Sequence, residues 1–228
     1  MLRVLWRCKA LSRSDPQRGM TIAELLSVTA VLGLLVSSVA FIIGPLLRSQ
    51  SHTQAKVDTV QAAAMALYRL ERDLRNSSVD QIFACTTSGL PVCTSPPAAP
   101  APTQAIVIGS AFQNGLGAFQ LAATGLPKWQ GATVYWIDAL GNLDVAFDPS
   151  PPGSIGSALT LSQAGSAVTD VTSRGGMQLA RFVEKLSLGA PPGSEHVITI
   201  QLQAQSTVNT AVNETTYETD VEARNRTS

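Results

Sequence analysis

The chain has 228 residues, with 16 basic and 16 acidic side chains, so its formal charge is zero. That balance lacks the basic surplus of a nucleic-acid binder, and no nucleic-acid partner is expected. The balance is uneven. Residues 1–19 hold Arg3, Arg7, Lys9, Arg13 and Arg18 against Asp15; removing these five and one leaves 11 basic and 15 acidic residues in the rest.

A basic front end precedes an apolar run. Leu25–Leu47 is 23 residues without a charge, about 35 Å as a helix, against a hydrocarbon core of about 30 Å. The run predicts one membrane span. The flanking charges orient it, with the leader cytoplasmic and everything after Arg48 outside. A buried helix of a soluble core is the competing reading, but such helices are rarely this long and uncharged. A cleaved secretory signal is a third. Ser38-Val39-Ala40 is a formal match to its cut site, but Phe41-Ile42-Ile43 still follows, and an apolar signal core is normally about 7–15 residues.

Glu24 stands just inside the N-terminal lip of this run. A carboxylate at the centre of a bilayer costs roughly 2.5–3.5 kcal/mol on insertion scales, and less at the edge. It can snorkel to the headgroups, or it can meet a cation. Around it the order is Arg18-Gly19, then Met20-Thr21-Ile22-Ala23-Glu24, then leucines. This resembles the prepilin N-terminal methylation motif of the type IV pilin and type II secretion pseudopilin family. The resemblance covers about thirty residues. It implies cleavage by a prepilin peptidase after Gly19, a new and methylated N-terminus at Met20, and retention of the span. It also implies an assembly role for Glu24, the fifth residue after the cut, paired with the Met20 ammonium of a neighbouring subunit.

Beyond the span, Val60, Ala63, Leu67, Leu70 and Leu74 advance by threes and fours, which predicts an amphipathic helix. Glu71 precedes Arg75 by four, a favourable surface pair, and Asn76-Ser77-Ser78 is the expected stop. Gly44-Pro45 interrupts the pattern, and a kink or local opening is expected there because proline removes a hydrogen bond and clashes with the preceding turn.

Of the three cysteines, Cys8 lies in the leader, on the reducing side. Cys85 and Cys93 flank CTTSGLPVC in the exported part, where a bridge is expected; it would stabilise by about 2–3 kcal/mol in the loop-entropy model, and two free thiols are the alternative. The stretch SPPAAPAPT, residues 95–103, reads as an extended connector.

From residue 104 the pattern turns to period two. Thr133–Ile137, a turn over 139–142, and Leu143, Val145 and Phe147 alternating with Asp144 and Asp148 predict a hairpin. Residues 149–176, rich in Gly, Ser and Pro, read as a long loop, and Arg181–Leu188 as a strand. In HVITIQLQA, Ile198, Ile200, Leu202 and Ala204 share one face. In TTYETDVEAR, Tyr217, Thr219, Val221 and Ala223 oppose Glu218, Asp220 and Glu222. Such alternation describes an antiparallel sheet with one packed and one wet face, and the helix stripe is its natural cover.

The expected architecture is therefore α+β and pilin-like: a long N-terminal helix, half transmembrane and half amphipathic, on a C-terminal antiparallel sheet. The segments are leader 1–19, transmembrane helix 20–47, amphipathic helix 48–78 and β-rich head 79–228. MALYRLERDLRN, VYWIDALGNL and the closing EARN look like the larger minor subunits of the family. They are similar to the J-type pseudopilin of type II secretion and its W-type counterpart in type IV pili.

Chemistry-bearing patterns are sparse. Asn114-Gly115-Leu116-Gly117 and Arg174-Gly175-Gly176 lack phosphate-loop spacing and read as turns. Asp138, Asn142 and Asp144 flank a turn and could hold calcium, but the twelve-residue calcium-loop pattern is absent and an ordinary polar turn is expected. His52 and His196 are isolated. Trp129, Tyr135 and Trp136 suit a core better than a binding patch. The expectation is a structural subunit rather than an enzyme, without cofactor or metal. The resemblance implies a place in a bacterial inner membrane, with the prepilin peptidase, other pilin or pseudopilin subunits, an inner-membrane assembly platform and membrane lipid as partners. An uncleaved, membrane-anchored binding or scaffold protein is the alternative.

Overall fold

The computed structural model describes residues 21–87, 89–112, 118–123, 127–149, 158–191, 196–208 and 211–223. The leader, Gly19, Met20 and the Asn114–Gly117 motif lie outside these. The chain divides into two compact units, Met1–Gln50 and Ser51–Ser228. Helix α1, Ile22–Arg75, supplies the described part of the first and opens the second.

In the first unit every residue from 21 to 50 is exposed. The few hydroxyls in the apolar run are satisfied by their own helix. Ser27 Oγ donates to the Glu24 carbonyl at 2.8 Å, and Ser37 and Ser38 donate to that of Leu34 at 3.0 and 2.7 Å. Gly44 and Pro45, where the sequence predicts a kink or local opening, lie inside α1, which continues through both. Proline removes a single donor, which would have bonded the Phe41 carbonyl, and the bonds on either side carry the helix past it.

In the second unit α1 buries Ala63, Ala66, Leu70 and Leu74, with Ala62 and Leu67 half-buried against them. Of the predicted stripe, Ala63, Leu67, Leu70 and Leu74 pack in the core, Val60 is only partly buried and outside it, and Ala66 is an added member. The helix stops where expected. Asn76 Nδ2 donates to the Arg72 carbonyl at 2.8 Å, and Ser77 Oγ donates to the Gly109 carbonyl at 2.9 Å, tying the helix end to a strand.

After a 3-10 turn at Val79–Gln81 come β1 (Ile82–Cys85), β2 (Cys93–Thr94), β3 (Ala101–Thr103), β4 (Ala105–Ser110), β5 (Gly131–Ile137) and β6 (Leu143–Asp148). Helix α2 (Leu161–Arg174) follows, then β7 (Met177–Ala180), β8 (Val183–Gly189), β9 (Val197–Val208) and β10 (Ala211–Glu222). The strands form two antiparallel sheets, one six-stranded in the order β2-β1-β4-β5-β6-β7 and one four-stranded in the order β10-β9-β8-β3. The chain is thus α+β, with two sheets where the sequence suggested one.

One core joins the α1 stripe to the inner faces of both sheets. It contains Ile82, Ile106, Ile108, Tyr135 and Leu143 from the first sheet, and Leu186, Leu188, Ile198, Ile200, Leu202 and Val221 from the second. A second core lies on the opposite face of the six-stranded sheet, where Phe83, Ala105, Val107, Val134 and Trp136 meet Ala164, Ala167, Val168 and Val171 of α2. Both faces of β4 and β5 are therefore apolar, so no wet face exists there for alternation to reveal.

Three expectations are corrected. Residues 161–174 are a helix, not part of a loop. Thr160 and Gln163 form a capping box, with Gln163 N donating to Thr160 Oγ1 at 3.3 Å and Thr160 N to Gln163 Oε1 at 2.8 Å. Small apolar residues then bury one face, and Gly175 closes the helix at φ 79, which a Cβ would strain. The last three residues of the 95–103 connector are strand, because Ala101–Thr103 pairs with β8. Pro102 is tolerated there because β3 is an edge strand, and Gly189 lets the connector approach, since a Cβ there would lie 2.5 Å from Pro100 N. Asp148, expected on a wet face, is 3% exposed and faces Arg174 Nη2 at 3.4 Å.

Candidate functional site

The start of α1 is built by a local device. Thr21 and Glu24 stand three apart, the spacing of a capping box. Glu24 Oε2 accepts from Thr21 N at 3.0 Å and from Thr21 Oγ1 at 3.1 Å, while Glu24 N donates to Thr21 Oγ1 at 3.3 Å. The carboxylate therefore sits over the free N–H groups of its own helix, where the helix dipole favours an anion. Oε2 takes both bonds and Oε1 takes none among the described residues. Thr-x-x-Glu was legible in the sequence as a cap signal; reading Glu24 only as a membrane anomaly overlooked Thr21.

Downstream of Glu24, α1 is long and apolar enough to cross a membrane, and none of its apolar window is buried. Ile22, Leu34, Phe41 and Ile42 are among its exposed side chains. Gly44 and Pro45 lie at the far end of this stretch.

In the second unit the expected bridge is present: Cys85 and Cys93 are bonded, with S–S 2.04 Å, and face each other across β1 and β2. Beside it lies a cleft of about 960 Å³, lined by Thr87, Val92, Pro102, Gln104, Asp138 and Lys185 among others. Gln104 Oε1 is engaged by Thr87 N at 2.7 Å and Thr87 Oγ1 at 3.2 Å.

Asp138 and Asn142 bond each other within the turn. Asp138 Oδ1 accepts from Leu140 N at 2.8 Å and Asn142 N at 2.7 Å, and Oδ2 from Asn142 Nδ2 at 2.9 Å. Burial alone would raise this carboxyl, but the hydrogen bonds from Asn142, Leu140 and Gly141 outweigh it and hold Asp138 below its usual range. Asp144, by contrast, is raised by burial and by the neighbouring Asp138 charge. Among the described residues, no group of three or more His, Cys, Asp and Glu gathers as a cation site.

Trp129, Tyr135 and Trp136 are core residues, at most 5% exposed. Tyr135 also locks α1 to the sheet: its hydroxyl donates to Asp73 Oδ2 at 2.7 Å, and Arg72 donates to Asp73 Oδ1 at 2.9 and 2.7 Å. Burial, then the Asp73 charge, pushes the Tyr135 hydroxyl well above the usual tyrosine value. Arg174-Gly175-Gly176 is the end of α2 and its exit turn.

No family model, curated protein or solved structure matches the chain.

Proposed function

We propose that the chain is a minor pilin or pseudopilin. It would be a structural subunit, cut after Gly19 by a prepilin peptidase and methylated at Met20. It would then assemble through its N-terminal helix into a type IV pilus or type II secretion pseudopilus. The observation that carries this reading is the join between motif and helix. The glycine and the glutamate five residues beyond it are placed so that the cut falls one residue before the cap of α1. The mature chain would begin with an ammonium, then Thr21, then an apolar helix with nothing of its own to cover it.

Glu24 would serve twice in such a subunit. Within its chain it caps the helix through Oε2; between chains Oε1 meets the Met20 ammonium of an adjoining subunit. A charge pair in a medium of low dielectric favours one axial register over all others. The large second unit suits a position that initiates or caps a short filament at the inner membrane better than a crowded shaft.

The Glu24→Ala variant tests this. Membrane insertion and cleavage should persist, and recovery of the variant in sheared filaments should fall at least about tenfold, the loss of one partly buried charge pair. Normal incorporation would remove the pairing mechanism. The uncleaved membrane-anchored scaffold is kept as the second reading because it requires the same exposed apolar helix; it predicts a chain that retains its leader.

A further inference from the structure

We infer that β10 is a docking edge for an extended segment of another protein carrying lysine or arginine at alternate positions. The two sheets have four edges, and three are blunted: β2 has two residues, β7 has four, and β3 has three including Pro102. Short strands, proline and lysine are the usual means of keeping a sheet edge closed. β10 has none of them. It runs twelve residues, AVNETTYETDVE, in unbroken register with β9 from Ala211↔Val208 to Glu222↔Val197. Every second residue of such a strand turns its N–H and C=O away from the sheet, and no further described strand pairs with them.

The chemistry of that edge is of one sign. Glu214, Thr216, Glu218, Asp220 and Glu222 are exposed along one face. Their contacts across the strand are neutral. Thr199 Oγ1 donates to Asp220 at 2.6 Å, Gln201 Nε2 to Glu218 at 3.1 Å and Gln203 Nε2 to Glu214 at 3.0 Å. None of the four acids joins a salt bridge among the described residues. The one cation of that sheet, Lys185, is registered to Gln203 and so stands two strands away from β10.

These facts choose the occupant. A second copy pairing edge to edge would set carboxylates against carboxylates, which is destabilising for directly opposed residues. A segment with cations at alternate positions meets the acid row while its backbone completes the ladder. The row thus excludes another copy and admits a basic strand. This inference does not rest on the filament reading.

The probe is a ten-residue peptide alternating lysine and valine, added to the full chain in neutral detergent micelles and followed by titration and amide hydrogen exchange. Binding should protect the β10 amides and weaken as salt rises. It should fall about tenfold in the Glu218→Lys/Asp220→Lys variant, where two attractions become repulsions. The same peptide N-methylated at alternate residues keeps its charge but cannot complete the ladder, and should not bind. Equal binding of the methylated peptide, equal binding of a glutamate-for-lysine peptide, or unprotected β10 amides would each overturn the proposal. The peptide comparisons use the unaltered protein, so they stand whether or not the double variant folds.

Discussion

Between residues 22 and 50, and again between 51 and 75, α1 is one kind of secondary structure with two kinds of surroundings. In the first stretch Leu32 and Leu35 are 60% exposed; in the second Leu70 and Leu74 are 0% exposed. Both stretches are rich in leucine. The difference lies in where the leucines fall. In the first they surround the helix, and no single protein face could cover them. In the second they form a stripe that one sheet face can bury. A helix apolar on all sides, uncovered among the described residues, is long and apolar enough to cross a membrane, whereas a stripe calls for a core.

The comparison can be broken most forcefully with lysine in each stretch. Leu70→Lys places an unpaired charge in the shared core and should cost about 4 kcal/mol or more, enough to abolish cooperative unfolding of the second unit in urea. Leu32→Lys should leave that urea transition unchanged and instead cost insertion about 2.5–3.5 kcal/mol, read as protein lost from the membrane fraction. A Leu32→Lys variant that lowered the urea midpoint would show that the first stretch belongs to a protein core after all.

A smaller effect sharpens the second side of the comparison. Tyr135→Phe removes the hydroxyl that holds Asp73 of α1, for a cost of about 1–3 kcal/mol in urea unfolding at neutral pH. The pH dependence follows from the raised pKa of this hydroxyl. The folded state resists losing the proton more than the unfolded chain does, so the contribution is fully present below the unfolded value of about 10 and is lost as pH rises beyond it. Stability of the parent protein should therefore fall more steeply than that of Tyr135→Phe above that pH. Parallel curves would remove the tyrosine from the account.

How much of this was legible in sequence depended on which signals were unopposed. The α1 stripe, the β9 and β10 alternation and the Cys85–Cys93 pair could be read because one face or one neighbour decided each of them. Helix α2 was hidden by its own composition. Gly165, several serines and threonines, and the glycines and prolines before it resemble a loop, although Thr160-x-x-Gln163 announced its start. In the β5–β6 hairpin the alternation of Asp144 and Asp148 with Leu143, Val145 and Phe147 does not mark a fully wet face. The buried Asp148 instead faces Arg174, seen only once α2 lies across the strand. Thr21-x-x-Glu24 carries the same capping signal, but a carboxylate beside an apolar run points equally to a membrane role, and only the helix start at Ile22 separates the two.

The most direct test of the central claim is the intact mass of the protein isolated from membranes. Cleavage after Gly19 gives a chain starting at methylated Met20 with the whole apolar stretch of α1 retained. A chain that keeps residues 1–19, or one that begins beyond Ala40, would contradict it.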